Sequence, residues 1–174
     1  MPINQAYPSL NDITPSWADI GVTLQLSIGP APGPALPMAS IKGIKWSRKV
    51  DVGEQRGANG GRVIAQTTGQ LTNEASMELY KDGNQIFMTA LTAAALAQGY
   101  VRGNQAIIGL VRYDITIQYT PPGSLLLFET AIKGCRYLSD DDDAKEGTDP
   151  STVTISMKPI EIASLINGVE AVLL

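Results

Sequence analysis

Between positions 18 and 28, Ala18, Ile20, Val22, Leu24, Leu26 and Ile28 occupy alternate places, with Asp19, Thr23, Gln25 and Ser27 between them. A period of two puts one face of a strand into a core and leaves the other to solvent or a partner. Residues 30–37 then interpose four prolines and a glycine. Proline cannot donate to a ladder, so this stretch reads as a rigid loop outside any sheet. Positions 41–52 form a second strand, with Ile44, Trp46 and Val50 facing inward. Residues 53–61, with four glycines, read as a flexible exposed segment. Residues 62–69 and 71–80 make a third strand region bent at 69–73, its second half alternating Ala75, Met77 and Leu79 against Ser76, Glu78 and Tyr80.

One helix is expected, at 84–98. Asn84 can cap it, Ile86, Phe87, Ala90, Leu91, Ala94 and Ala97 recur at three- and four-residue spacing, and Gly99 is placed to end it. Two long strands follow at 107–119 and 125–139, turned by Pro121-Pro122-Gly123. Residues 152–162 close the sheet with Val153, Ile155 and Met157 inward. The order β-β-β-α-β-β-β predicts one domain over 1–174, mainly β with one flanking α-helix, as an antiparallel barrel or sandwich. Residues 1–16 and 163–174 read as N- and C-terminal arms.

Composition narrows the chemistry. The chain has 174 residues, 44% hydrophobic and 17% charged, which is globular rather than disordered. It has no histidine and one cysteine, Cys135. That excludes Ser-His and Cys-His pairs, imidazole metal sites and an intrachain disulfide. No catalytic residue, metal site or cofactor is expected. The first residues lack the charged and apolar regions of a signal peptide, and the longest apolar run, 93–97, is far short of the ~20 residues of a membrane span. A soluble protein assembled in the cytoplasm, without membrane insertion, is the expectation.

The net charge of −4 is unevenly spread. Residues 140–149 hold six acids and one lysine, a local −5, so the rest of the chain sums to +1. Residues 42–62 hold six bases and two acids, a local +4. The glycine-rich segment 53–61 lacks the Gly-Lys-Ser/Thr ending of a phosphate loop. The run Asp140, Asp141, Asp142, Asp143 lacks the spacing of a calcium loop and reads as a solvated acidic loop. The basic stretch has only Trp46 for stacking. Charge pairing between protomers, with 140–149 of a neighbour as the partner, is therefore favoured over phosphate contact. A carboxylate-based hydrolase is the enzyme class that the missing histidine leaves open, but no acid is singled out for it.

The order of local strings resembles the bacteriophage tail tube protein family. Ile44-Lys45-Trp46 precedes the glycine-rich loop; Thr67-Thr68-Gly69-Gln70 and Glu74-Ala75-Ser76-Met77-Glu78-Leu79-Tyr80 follow it. Ile132-Lys133-Gly134-Cys135-Arg136-Tyr137, the acidic loop, residues 152–160 and Asn167-Gly168 continue the likeness, which spans about 41–168. The resemblance implies a β-barrel-like subunit of hexameric rings, stacked into a hollow tube that conducts DNA during ejection. Its partners would be further copies of itself and other tail proteins such as sheath, terminator or baseplate, and its place the virion tail. The long loop at 48–62 would reach the adjacent ring, which makes Arg48, Lys49, Arg56, Gly57, Gly60, Gly61 and Arg62 assembly residues, with Asp140–Asp143 as a further contact. The lumen lining is expected to be neutral to acidic, since such a surface repels phosphates. The tube of a type VI secretion or related injection system is the alternative within the same class.

Overall fold

In the computed structural model, which describes residues 20–28, 31–37, 40–56, 63–120, 125–143 and 151–171, the clean alternation at the start of the chain becomes strand β1 (Ile20–Ile28). It buries Val22, Leu24 and Leu26. The alternation of β7 (Arg112–Tyr119) buries Tyr113, Ile115 and Ile117. Matching alternations let the two strands pair antiparallel, Leu24 opposite Ile115 and Leu26 opposite Tyr113. A core from one face of a sheet follows directly.

The proline-rich stretch departs from expectation. Ala31–Pro37 is a strand, β2, paired with β1 from Thr23↔Pro37 to Ile28↔Ala31. The loop reading is corrected by position: β2 is the outermost strand, and an edge strand needs donors on one side only.

Long strands form the opposite half: β3 (Ile41–Arg56), β4 (Val63–Tyr80), β8 (Phe128–Asp143) and β9 (Thr152–Lys158). Two strands, β10 (Glu161–Ile166) and β11 (Val169–Ala171), follow them. Among the described residues one sheet runs β2-β1-β7-β8-β9-β4-β3, with β10 on β8 and β11 on β10. A small separate hairpin joins β5 (Val101–Arg102) to β6 (Gln105–Ala106). A 3₁₀ turn at Ile108–Leu110 precedes β7, so the strand expected from 107 starts later.

The expected final strand 152–162 is broken in two, because β8 bends. Tyr113 faces Cys135 and Ile115 faces Ile132, so Lys133 and Gly134 together oppose Asp114 in a bulge. Gly134 has φ +64, and its N–H donates to Asp114 Oδ1 at 2.7 Å. Past the bend β8 pairs with β9; before it β8 pairs with β10. Ile160, between them, donates its N–H to the Lys133 carbonyl at 2.9 Å. A Cβ at Gly134 would lie 2.8 Å from Ile160 Cδ1, the tip of a side chain 62% exposed and able to move. Gly134→Ala therefore costs mainly left-handed backbone strain, about 1–2 kcal/mol. A melting temperature lowered by about 2–8 °C is the expected result by circular dichroism; an unchanged melt would show that the bulge accepts a side chain.

Helix α1 (Lys81–Ala97) lies against the buried face and starts three residues before the expected position. Asn84 is therefore inside the helix, and Tyr80, extended and without a side-chain bond, takes the cap position. Ser40 holds this end: its carbonyl accepts from Tyr80 N–H at 3.0 Å and its hydroxyl donates to Asp82 at 3.1 Å. A Cβ at Gly83 would come within 2.6 Å of Ser40 Cβ, which explains a glycine in the first turn. The buried line is Gly83, Phe87, Leu91, Ala94 and Ala95, while Ile86 is 59% exposed and Ala97 is exposed. Gly99, at φ +72, ends the helix as expected, with Gly99 N–H on Leu96 O and Tyr100 N–H on Ala95 O.

Phe87 meets Tyr113 edge to face, centroids 5.4 Å apart, which joins helix to sheet. Cys135 is fully buried; burial pushes its thiol up to about 12, with Asp114 adding to the shift, so it is an inert core group. The C-terminal arm region 163–171 lies in β10 and β11, whose turn Asn167-Gly168 has both residues at positive φ.

Candidate functional site

The surfaces with something left to bind are on the sheet's periphery. β4 pairs with β9 only over Ala75–Tyr80. Among the described residues its earlier part pairs only with β3, down to Arg56↔Val63, so the two strands project from the sheet as a ribbon. Strand pairing thus reaches further into 48–62 than the expected loop; Gly57, Gly60, Gly61 and Arg62 lie outside the described residues. An isolated two-stranded ribbon is marginal in water. Here its base is tied down: Asn73 Nδ2 donates to Ile160 O at 2.8 Å, and Arg48 donates to Ile162 O at 3.1 Å and Ser164 Oγ at 3.3 Å.

Above that base the ribbon is bare. Val50 sits directly opposite Leu71, and strand parity puts Trp46, Val50 and Val52 on the same side. Trp46, Val50, Val52 and Leu71 are 41%, 45%, 54% and 55% exposed. Trp46 and Val50 were expected inward. They do lie on the core-facing side of β3, but the layer that covers Ile41 and Leu79 does not extend to them. A bulge at Gly69–Gln70 shifts the register between Val50↔Leu71 and Val52↔Thr68. A side chain on Gly69 would strike the Asp51 carbonyl, so the bulge requires glycine.

Three of the six bases expected to meet a neighbour have partners within the subunit. Lys42 pairs with Glu78 at 2.8 Å, and that bond, with a second from Thr152, holds the Glu78 carboxyl below the usual range. Arg48 is bonded as described, and Lys49 lies 3.7 Å from Asp51 in an exposed pair. Arg56 ends β3. The expected acidic loop begins as strand instead: Asp140, Asp141, Asp142 and Asp143 complete β8, opposite Ile155 to Thr152. Asp142 lies 3.2 Å from Lys81 at the start of α1. Burial, then a hydrogen bond to Asp140, pushes the Tyr137 hydroxyl up to about 12. The structure keeps the acidic and basic clusters on different strands, with β9 and β4 between them.

An open groove of about 490 Å³ lies along the polar side of β3, β4 and β9, among Lys45, Glu74, Ser76, Ser156 and Lys158. Among the described residues no group of three His, Cys, Asp or Glu is placed to hold a metal, and no helix is long and apolar enough to cross a membrane. The linear reading missed Arg112, Arg136 and Lys158. They are 24 and 22 residues apart in sequence and become neighbours only through strand register.

No protein-family model matches the chain, and no curated protein matches it by sequence. Solved structures do match in shape. A chain of the 6-fold symmetrised baseplate of the anti-feeding prophage aligns with TM-score 0.57 at 13% identity, over 88% of this chain and 97% of that one. A chain of the sheath/tube terminator of the PVC extracellular contractile injection system, in its extended state, gives 0.55 at 15% identity, over 90% and 99%. The tube-terminating cap of the anti-feeding prophage gives 0.55 at 13%, over 95% and 99%. The chain has the tail-tube type of fold that its sequence suggests, mainly antiparallel β with one flanking helix.

Proposed function

We propose that this chain is a structural subunit of a tube in a phage-like tail or injection apparatus, built from hexameric rings stacked end to end. The observation that carries the reading is the projecting ribbon, with Val50, Val52 and Leu71 between 45% and 55% exposed on one side. A monomer gains nothing from such a stripe, whereas a stacked copy covers it. The ribbon holds residues 48–56 of the segment 48–62, and in this reading Lys49, Arg56, Gly57, Gly60, Gly61 and Arg62 are the contact residues toward the next ring. Arg48 serves at the base of the ribbon, and Asp140–Asp143 are a second contact.

In this reading the tube lies in the virion tail, is assembled in the host cytoplasm, meets sheath, terminator and baseplate proteins, and conducts DNA. The polar side of the sheet, with hydroxyls and amides at Thr23, Gln25, Thr116 and Gln118, suits a wetted channel or interface. The second reading, a tube of a contractile injection system carrying another cargo, is favoured by the terminator and baseplate settings of the similar structures. Both readings make the protein a building block rather than an enzyme.

Negative-stain microscopy with sedimentation of the purified protein tests the shared part. Rings or tubes of constant width with six-fold end views are expected. A monodisperse monomer at every concentration would overturn the assignment.

A further inference from the structure

Along the polar side of the sheet, charged and polar side chains are matched across strands. Gln118 donates to Glu129 at 2.6 Å, Lys133 pairs with Glu161 at 3.0 Å, and Lys42 pairs with Glu78 at 2.8 Å. One rung breaks the pattern. Arg112 on β7 stands directly opposite Arg136 on β8, and Arg136 directly opposite Lys158 on β9. With strands about 4.8 Å apart, three cations stand within about 10 Å. All three are exposed, and no ion pair or hydrogen bond engages their side chains among the described residues. Neither neighbouring acid forms an ion pair with them among the described residues: Asp114 accepts from the Gly134 N–H, and Glu74 shares the groove beside Lys158. Like charges directly opposite destabilise a sheet. The subunit therefore carries a local penalty that an anionic partner would remove.

The chain itself holds the complement. β8 ends in Asp140–Asp143; Asp140 and Asp141 are exposed and make no ion pair among the described residues, Asp140 being hydrogen-bonded to Tyr137. The two patches cannot meet within one subunit. Arg136 and Asp141 are on the same strand, and five residues of extended chain separate them by about 17 Å. We propose that the Arg112–Arg136–Lys158 rung is the receiving half of a contact between copies, taking Asp140 and Asp141 near the end of β8 of a second subunit. Two different patches on one chain make a heterologous contact, the kind that closes rings or extends filaments. The inference rests on the tube reading and names the charged contact within it, in place of the basic stretch 42–62.

Arg136→Glu tests it, because the folded subunit and the assembly should respond in opposite directions. The rung becomes an alternating one, so the melting temperature of dissociated subunits should rise by about 1–3 °C. The concentration needed for half-assembly, by sedimentation, should rise at least about tenfold. Adding Asp141→Lys in the same chain should restore assembly by swapping the charges. Assembly of Arg136→Glu at the wild-type concentration overturns the proposal while leaving the tube reading standing. So does a loss that Asp141→Lys fails to restore, or wild-type binding of a 30-base oligonucleotide that Arg136→Glu abolishes without affecting assembly. A wild type that never assembles overturns both.

Discussion

Val50→Glu combined with Leu71→Glu is expected to leave the subunit folded and to prevent tube growth. The two residues face each other across the ribbon, 45% and 55% exposed, so their loss opens no cavity. In a stacked tube each would complete its burial, worth about 1 kcal/mol apiece from the area remaining. Placing two carboxylates there replaces that gain with a desolvation cost of several kcal/mol per contact. Every subunit repeats the contact, so the concentration needed for growth should rise by more than about a hundredfold. Circular dichroism should still show a cooperative melt, lowered by about 2–8 °C because two carboxylates then stand opposite each other, while microscopy shows rings or single subunits. Tubes that form as in the wild type would remove the ribbon from the stacking interface.

Phe87→Ala should have the largest effect on stability. Phe87 is 1% exposed and meets Tyr113, itself fully buried, edge to face. Truncating a buried phenylalanine costs about 3–5 kcal/mol. The melting temperature should fall by about 6–20 °C. Ile86→Ala, one position earlier, is the control: Ile86 is 59% exposed and should shift the melt by a few degrees at most. Equal losses at 86 and 87 would mean that the helix packs through a different side.

These two tests fall where linear reading and structure differ most. Strands β1 and β7 were legible because their alternation has no interruption, and Gly99 marked the end of the helix. The helix phase was less legible: Ile86 and Phe87 are adjacent apolar residues, and only packing on Tyr113 decides between them. Trp46 and Val50 show the limit of period two. It identifies a side of a strand correctly but cannot say whether a second layer reaches that far along it. The glycines of 53–61 marked a flexible exposed segment, not a ribbon, and the pairing out to Arg56 was not anticipated, since Gly53 weakens a strand signal without preventing the strand. The acidic run was read as a loop from its charge alone, and its partner β9 supplies a ladder that composition does not reveal. The rung of Arg112, Arg136 and Lys158 was beyond reach, because it exists only once register, including the bulge at Gly134, is set.

The prolines of β2 carry a consequence for the sheet as a whole. One rim of the sheet is β2, in which three of seven residues, Pro32, Pro34 and Pro37, have no N–H to offer. The other rim is β3, sixteen residues long without a proline. Among the described residues, backbone donors are missing at three positions along one rim and at none along the other. Newly made subunits at high concentration cannot zip together along their proline-bearing rims into an indefinite ribbon, the usual fate of exposed strands. Any backbone pairing between copies is left to the β3 rim, so it stops at a pair instead of extending.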